Sequence, residues 1–477
     1  MDGSQVDMSL ESSTRAVRGI VERVAAEVWQ LAELSLREEA SAKVHERELE
    51  AAGFTVTSGA AGVPTAFVAE WTGRAGPTIG FLPEYDALPG LGNDPVPRRQ
   101  PRADGVTSGH GCGHNLLGAA LTGAAIATKR AAELLGLGGT LRVYGCAAEE
   151  TEGAKIYMAR DGLFDDLDAC LHWHPAPVAA VAHVRLASVN LIKIDFHGTT
   201  AHAGLEPWKG RSALHAMELA AHGLNLMREH LEPTARVQYI FEAAGEAPNV
   251  VPDYARIFLV IRDVDRSRVA AMTEWVRQLA DGAARAMQTR AEVLVYAGMH
   301  DLMPNTPLAE RTQQHLERVG VPAWDADEQE FAKGCQRQLG MADAGLAAAV
   351  MPLLDEPSLG GSTDVADVSW NTPTMGIAMP TMPLGIPLHT WPVTACAGMS
   401  IGLKGALAAT DVLTRTAVDL LTDEQLRADA RADFERRRGD YRFVSALPPE
   451  QRHPIDLPDW LVTDGSAEAI GDLAQTR

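Results

Sequence analysis

The sequence predicts an α/β fold, in which helices cover both faces of a mostly parallel central sheet and a small α+β domain is inserted. Short apolar runs typical of buried strands alternate with Ala- and Leu-rich helical segments in the first part of the chain. Near residue 188 the pattern changes to strands that alternate apolar and polar residues. The chain has 477 residues, which is long enough for roughly two to four domains.

The first part of the chain supplies elements of the main sheet. Apolar residues recur at helical spacing and predict a helix capped by Ser12 or Ser13, after a polar segment at 1–12: Val17, Val21, Val24, Val28 and Leu31. The apolar run at 78–82 ends at Pro83 and predicts a buried strand. Residues 115–135 predict a buried helix, and residues 140–147 predict another strand.

The middle of the chain predicts the inserted domain. Its predicted order is strand, helix, strand, strand, helix, strand, at 192–196, 211–229, 236–242, 255–262, 267–287 and 292–296. This β-α-β-β-α-β order is the split βαβ pattern of a ferredoxin-like domain. We therefore divide the chain into a first part of the main domain at 1–187, an insertion at 188–303 and a second part at 304–477. The mixed charges at 424–438 favour a solvated helix over a partner-binding arm.

Composition excludes several classes of function. The 42 Lys and Arg against 63 Asp and Glu give a net charge of −21, which argues against nucleic acid or anionic lipid as a partner. The sequence has no apolar stretch of roughly 18–20 residues and no visible secretory signal. Five irregularly spaced cysteines do not form a disulfide framework. We expect a cytoplasmic protein.

The densest chemical signal lies at residues 109–115, Gly-His-Gly-Cys-Gly-His-Asn. Imidazole and thiolate both bind zinc-like metals, and the glycines allow ligands to crowd around one centre. Taken alone, the segment fits a metal site and a simple Gly-rich turn equally well.

Further polar residues favour the metal site. Glu149 and Glu150 follow the strand at 140–147, at the end where α/β sheets place their active sites. One carboxylate of such a pair can bind an ion while its neighbour takes a proton from the attacking water. His172, His174 and His389 come later in the sequence. A single histidine is more often structural, but this order and separation of elements indicates a site.

Together these segments resemble metallopeptidase family 20, the aminoacylase and carboxypeptidase type of two-metal amidohydrolases. The resemblance extends to the branch with aminobenzoyl-glutamate hydrolase and the indoleacetyl-amino-acid hydrolases. It also includes the segments at 84–90, 201–204, 247–252 and 361–365 and runs from about residue 15 to 415. It implies a zinc-peptidase-like catalytic domain whose inserted domain serves as a lid and in dimerisation.

The resemblance implies roles for individual residues. Cys112 matches a thiolate ligand that bridges two metals, and the other matching ligands are His114, Glu150, His174 and His389. Glu149 matches the general base, and Asp86 matches a carboxylate that supports the metal site; we count both as catalytic candidates. His202 matches a donor to the oxyanion, while Asn249 and Arg262 are candidates to bind the substrate's carboxylate. Ser362 and Asp364 lie on a loop resembling the family's substrate-side loop.

Two positions need comment. The favoured branch has its ligand directly before Pro175, which selects His174, whereas related amidohydrolases have it three residues before the proline, which selects His172. We prefer His174. Asn115 stands where the indoleacetyl-amino-acid enzymes carry Asp, which weakens assignment to that subfamily but leaves the ligands unchanged.

The resemblance implies a hydrolase that cleaves the amide bond of an N-acyl or N-aroyl amino acid, of the aminobenzoyl-glutamate type. Two divalent ions, Zn²⁺ or Mn²⁺ with Co²⁺ as a further option, would activate water for Glu149. Alternatives with the same site are a dipeptidase and an enzyme that removes an amino group from an arylamine by hydrolysis. A non-catalytic scaffold is disfavoured because it needs no base. The resemblance also implies a homodimer, or an assembly of dimers, with His202 reaching the neighbouring subunit's site.

Overall fold

The structure is a computed structural model that describes residues 3–453. Its helices and strands alternate along the chain. The helices are α1 Gly3–Leu31, α2 Glu39–Ala51, α3 His114–Leu135, α4 Ala154–Arg160, α5 Ala213–Met227, α6 Arg266–Met287, α7 Thr306–Val319, α8 Ala326–Gln338, α9 Val365–Ser369, α10 Trp391–Ala397, α11 Ser400–Thr422 and α12 Glu424–Arg438. The strands are β1 Thr55–Ser58, β2 Phe67–Thr72, β3 Arg74–Phe81, β4 Gly138–Gly145, β5 Ala169–Ala176, β6 Ala180–Val181, β7 Arg185–Leu186, β8 Ser188–His197, β9 Arg236–Ala243, β10 Tyr254–Asp263, β11 Arg290–Met299, β12 Ser358–Leu359 and β13 Thr374–Pro380.

The main sheet has seven strands in the order β1-β2-β4-β3-β5-β13-β6. Its four central strands, β4, β3, β5 and β13, are parallel to one another. The outer strands β1, β2 and β6 each pair antiparallel with the strand inside them. The α/β prediction is confirmed, and its parallel character holds for the centre of a sheet that is mixed as a whole.

Helices α3 and α11 pack against the main sheet, and α1 packs against both of them. Helix α1 begins at Gly3, so the prediction that residues 1–12 precede the helix is wrong. Leu10 is buried with Ala131 of α3 and Val418 of α11, and this tertiary contact extends the helix past the predicted serine cap. Ser13 is consequently a buried residue inside the helix.

The inserted domain has a four-stranded antiparallel sheet in the order β11-β8-β10-β9. Helices α5 and α6 pack against each other and against this sheet. The predicted β-α-β-β-α-β order is confirmed, whereas the exact domain boundaries stay a prediction. The predicted polar face is partly wrong, because Lys193 of β8 is buried with its ammonium 4.7 Å from the ring centre of Tyr296.

The charged segment near the C-terminus forms α12, which covers part of the main domain. Its Leu426 and Phe434 are buried, so the helix is amphipathic rather than solvated all round. The end of the segment assigned to the second part of the main domain, residues 454–477, lies outside the described residues. Among residues 3–453 no single helix is long and apolar enough to cross a membrane; α10 and α11 reach that threshold only when taken together across a bend of 69°.

Candidate metal centre and active site

The candidate site residues gather where the parallel strands of the main sheet end. Glu84 and Asp86 follow β3, Glu149 follows β4, and His174 lies near the end of β5. Because the carboxyl ends of parallel strands share one edge of a sheet, residues distant in sequence meet there. Cys112 lies on the turn before α3. Gly113 on this turn has φ +80°, and an added Cβ there would lie 2.9 Å from Pro175, so the turn packs closely against the end of β5.

Two groups of potential ligands share one sulfur atom. Cys112, His114 and His174 form the first group, and Cys112, Glu150 and His389 form the second; within each group the donor atoms lie within 4.8 Å of one another. The Cys112 Sγ lies 3.4 Å from His174 Nε2. The His389 Nε2 lies 3.2 Å from a carboxylate oxygen of Glu150. The structure therefore brings all five predicted ligands into one cluster.

Asp86 contacts both halves of this cluster without belonging to either ligand group. Its carboxylate lies 2.7 Å from His114 Nδ1 and accepts hydrogen bonds from the Glu150 backbone N–H at 3.0 Å and the Ser35 hydroxyl at 2.9 Å. Burial would raise the pKa of Asp86, but the neighbouring His114 outweighs burial and lowers it. Asp86 thus orients the His114 ring and leaves its Nε2 directed at the cluster.

The cluster is crowded with acidic groups. Burial, reinforced by Glu84 and Glu150, raises the pKa of Glu149 well above its usual value. Burial would lower the pKa of His114, yet Cys112 and Asp86 raise it well above its ordinary value. The concentration of acidic groups that causes these pKa shifts would also favour a bound cation.

Several buried atoms of the cluster have no hydrogen-bond partner among residues 3–453. They are Glu84 Oε2, His114 Nε2 and Glu150 Oε1. The His114 Nε2 lies 3.4 Å from Glu84 Oε2 and 3.9 Å from Glu150 Oε1. Burying polar atoms without partners costs free energy of folding, and a bound cation among these atoms would provide the missing partner. Thiolate, imidazole and carboxylate are also a donor set that suits zinc-like ions.

Sequence reasoning missed a buried ionic group beside this cluster. Lys155 is fully buried, and its ammonium lies 2.7 Å from Glu84 and 2.5 Å from Asp364. The positive charge of Lys155 thus partly balances the two carboxylates of Glu84 and Asp364 next to the candidate ligands. Its sequence signal is a lone lysine within the otherwise apolar first turns of α4. Ser362, the other residue singled out on the loop with Asp364, does not join this ionic group: its hydroxyl donates to the Ala187 carbonyl at 2.8 Å.

The two candidate ligands His172 and His174 occupy different positions along β5. His174 lies against Cys112, whereas the His172 ring lies over β13, so close that a Cβ on Gly376 would come within 2.3 Å of it. Residues two apart on a strand share a face, so these two histidines differ in their depth along the sheet. Burial lowers the pKa of His172 to about 4.

The predicted substrate-binding residues belong to the inserted domain. His202 and Asn249 lie on adjacent exposed loops, where the Ala203 N–H donates to the Asn249 carbonyl at 3.0 Å. Arg262 of β10 donates to the Gly360 carbonyl at 3.3 Å, on the loop that precedes Asp364. Their described contacts place Arg262 beside the predicted substrate-side loop and keep His202 and Asn249 within their own domain.

Comparison with known proteins identifies the type of molecule. A model of a peptidase dimerisation domain matches residues 182–287. The chain is 36% identical to one of the subunits of p-aminobenzoyl-glutamate hydrolase from Escherichia coli, over 86% of this chain and 91% of that protein. It is 28% identical to the human Xaa-Arg dipeptidase, over 93% and 96% of the two chains.

Solved structures show the same fold. An aminobenzoyl-glutamate utilization protein from Klebsiella pneumoniae matches with a TM-score of 0.59 and 19% identity, over 86% of this chain and 98% of that one. A dinuclear metal-binding peptidase from Bacillus subtilis matches with a TM-score of 0.56 and 20% identity, over 85% and 99%. Together with the sequence identities, these findings define a hydrolase of the peptidase and amidohydrolase type. The chain belongs to the M20 family of peptidases and amidohydrolases.

Proposed function

We propose that this protein hydrolyses the amide bond between an acyl or aroyl group and an amino acid, with substrates of the p-aminobenzoyl-glutamate type. The observation that carries the proposal is the pair of ligand groups sharing Cys112, with Glu149 beside them. The 36% identity to a hydrolase of that substrate supports the choice of substrate class.

We further propose that the site holds two divalent ions, Zn²⁺ or Mn²⁺, with Co²⁺ as a further option. The unsatisfied buried atoms and the mixed sulfur, nitrogen and oxygen donors support this assignment. The residues that would hold the ions are Cys112, His114, His174, Glu150 and His389. Bound there, the ions would supply Lewis acidity to activate water and to polarise the substrate carbonyl.

Residues of this chain perform the proton transfers. The Glu149 carboxylate accepts a proton from the attacking water and returns it to the leaving nitrogen. Its carboxylate lies 3.9 Å from His114 Nε2, so it stands beside the proposed ligands. Asp86 keeps the His114 ring and the Glu150 backbone in position. Lys155 offsets the charge of Glu84 and Asp364, so that Glu149 is not surrounded by uncompensated carboxylates.

His202 has a tautomer suited to stabilising an oxyanion. Its Nδ1 accepts hydrogen bonds from the backbone N–H groups of Gly204 at 3.1 Å and Leu205 at 3.2 Å. A neutral ring with Nδ1 as acceptor carries its proton on Nε2, which is then free to donate to developing negative charge. In the proposed assembly His202 donates in the partner's site. Asn249 and Arg262 are the proposed groups that bind the substrate's carboxylate.

The inserted domain supports a homodimer or an assembly of dimers. Gln451 donates to the Val295 and Tyr296 carbonyls of the edge strand β11. At the opposite edge, Ile240 and Phe241 of β9 are exposed. Exposed apolar edge strands favour pairing with another chain, and a two-fold axis lets the same edge serve both subunits.

An assay panel tests the proposed reaction. Metal-loaded protein is given p-aminobenzoyl-glutamate, N-acyl amino acids, dipeptides and aminobenzoates, and the products are identified by mass spectrometry. We expect release of the free amino acid from the aroyl and acyl substrates, loss of activity on chelation and recovery on adding Zn²⁺ or Mn²⁺. The similarity to the human Xaa-Arg dipeptidase makes dipeptide cleavage the second candidate. Cleavage of dipeptides alone, or release of ammonia from aminobenzoates alone, contradicts the proposal.

A further inference from the structure

Ala148, the residue before the proposed base Glu149, has an unusual backbone conformation. Its φ is +57°, in the left-handed region that residues with a Cβ rarely adopt. It is buried, with 1% of its surface exposed. Its carbonyl accepts hydrogen bonds from the backbone N–H groups of Thr151 at 3.1 Å and Gly153 at 2.8 Å. Ala148 therefore begins the turn that carries Glu149 and Glu150, and its conformation sets the direction in which the turn leaves β4.

The backbone N–H of Ala148 is held by a carboxylate from a distant part of the chain. Glu38, directly before α2, accepts this hydrogen bond through Oε1 at 2.7 Å. Its Oε2 accepts a hydrogen bond from the Thr65 hydroxyl at 3.0 Å. The Thr65 carbonyl in turn accepts from the Tyr85 hydroxyl at 2.6 Å. Glu38 thus spans from α2 and the loop before β2 to the turn after β4.

The chemistry of Glu38 is unusual for a purely structural residue. It is fully buried, and the described partners of its oxygens are backbone amides and the Thr65 hydroxyl rather than a cation. Burying a carboxyl group without a cation is unfavourable. Its oxygens, however, accept hydrogen bonds from the buried Ala148 N–H and Thr65 hydroxyl, which an apolar side chain would leave without these partners. The carboxyl group is therefore explained by the groups that it holds.

We propose that Glu38 is a positioning residue that keeps Ala148 in the left-handed conformation and thereby aims the Glu149 side chain at the reacting centre. The inference rests on the proposed function insofar as Glu149 is the general base. Glu38 acts through the backbone of Ala148 and does not touch substrate.

The proposal makes a specific claim about residue 148. If the role of Glu38 is to hold a strained backbone conformation, glycine at 148 removes the need for it, because glycine adopts positive φ without a steric penalty. If Glu38 only supports packing, glycine at 148 brings no benefit. Ala61 provides the control, since it also has a positive φ, of +52°, but lies in the segment Ala60–Gly62 rather than in the turn that carries Glu149.

The test combines these substitutions in full-length, metal-loaded protein. We expect Glu38→Leu to lower kcat roughly tenfold with little change in KM or metal content, because the base is misdirected while the ligands remain. Glu38→Gln keeps an oxygen to accept the Ala148 N–H and should stay within about twofold of the parent. Adding Ala148→Gly to Glu38→Leu should restore most of the lost kcat, whereas adding Ala61→Gly should not. Failure of Ala148→Gly to rescue, or equal rescue by Ala61→Gly, overturns the proposal.

A readout independent of activity separates this inference from the proposed reaction. Hydrogen exchange of residues 146–151 should become faster in Glu38→Leu and remain unchanged in Glu38→Gln. Inactivity of the parent toward the amide panel would reject the proposed function while leaving this exchange test in force. Unchanged exchange in Glu38→Leu rejects the positioning role. If Glu38→Leu does not fold, the rescue and exchange experiments are performed in Glu38→Asp, which shortens the side chain by one methylene and keeps its charge type.

Discussion

At the scale of single residues, the carboxylates near Cys112 differ in what they touch. Asp86 holds the His114 ring and the Glu150 backbone, and Glu150 lies 3.2 Å from His389. Glu149 stands beside them, and its pKa is raised by burial and by the other acids. These different contacts support the proposed division of tasks, with Glu150 as a ligand and Glu149 as the base.

Conversion of each glutamate to glutamine separates these tasks. Glu149→Gln cannot accept a proton, so we expect metal content to stay constant and kcat to fall roughly 10²–10⁴-fold. Glu150→Gln should instead lose metal, because a neutral amide oxygen is a weaker ligand. Metal analysis beside steady-state kinetics checks both, with Glu133→Gln on the exposed surface of α3 as the control. The reverse pattern would show that the two roles are exchanged.

Isolated buried charged residues are the part of the site that the sequence alone does not indicate. Cys112, His114 and the glutamate pair form dense local patterns, so the sequence alone indicates them. Lys155 lies between apolar residues and Glu38 between two other charged residues in the sequence, and the importance of each depends on a partner 71 or 110 residues away. No local periodicity encodes such contacts, because they arise only when the strands and helices pack.

At the scale of elements, β11 is linked to the turn after β4. Tyr296 is the extra residue of an irregularity in the pairing of β11 with β8. A bulge of this kind redirects a side chain. The Tyr296 hydroxyl donates to Glu152, which lies on the turn that carries Glu149. The Thr151 hydroxyl donates to the other Glu152 oxygen. The position of the inserted domain is therefore coupled to the turn that carries Glu149.

Removal of one hydroxyl tests this link. Tyr296→Phe should lower kcat about three- to tenfold at constant metal content, because the turn becomes less ordered. Tyr239→Phe is the matched control, since the Tyr239 hydroxyl accepts from Asn225 within the inserted domain. Steady-state kinetics of both variants give the two kcat values to be compared. Equal effects of the two substitutions would argue against coupling through Tyr296.

Element boundaries were predictable only where local patterns determine them. The sequence predicts β10 and α6 to within about one residue of their observed bounds. In the structure β10 alternates buried and less buried residues, and the Asp265 side chain caps α6. The start of α1 was not predictable, since Leu10 becomes helical through contacts with α3 and α11. The antiparallel edges of the main sheet were missed because strand direction depends on chain connections rather than on composition.

At the scale of the whole molecule, the two edges of the inserted sheet differ. Gln451 donates to carbonyl groups of β11, and exposed apolar side chains lie on β9 and its neighbour α5, where Leu226 is 57% exposed. This asymmetry favours one mode of self-association, through the β9 edge. The proposed dimer places His202 of one subunit at the active site of the other.

Mixing two inactive variants tests transfer of His202 between subunits. His202→Ala should bind metals but lose turnover, because a donor to the oxyanion is lost and no ligand is. Mixed with Glu149→Gln under conditions of subunit exchange, it should recover part of the activity, since one site of each mixed dimer then has both groups. Native mass spectrometry verifies exchange. Exchange without recovery means that His202 acts within its own chain.

The measurement closest to the central claim is anomalous diffraction from crystals of the Zn²⁺- or Mn²⁺-loaded protein. Two anomalous peaks are expected on either side of Cys112 Sγ, one in contact with His114 and His174 and the other in contact with Glu150 and His389. The same crystals of Cys112→Ala should show sharply reduced occupancy at both positions, because the shared thiolate is lost. A single peak, or two peaks of full occupancy without Cys112, would contradict a two-ion centre built on this residue.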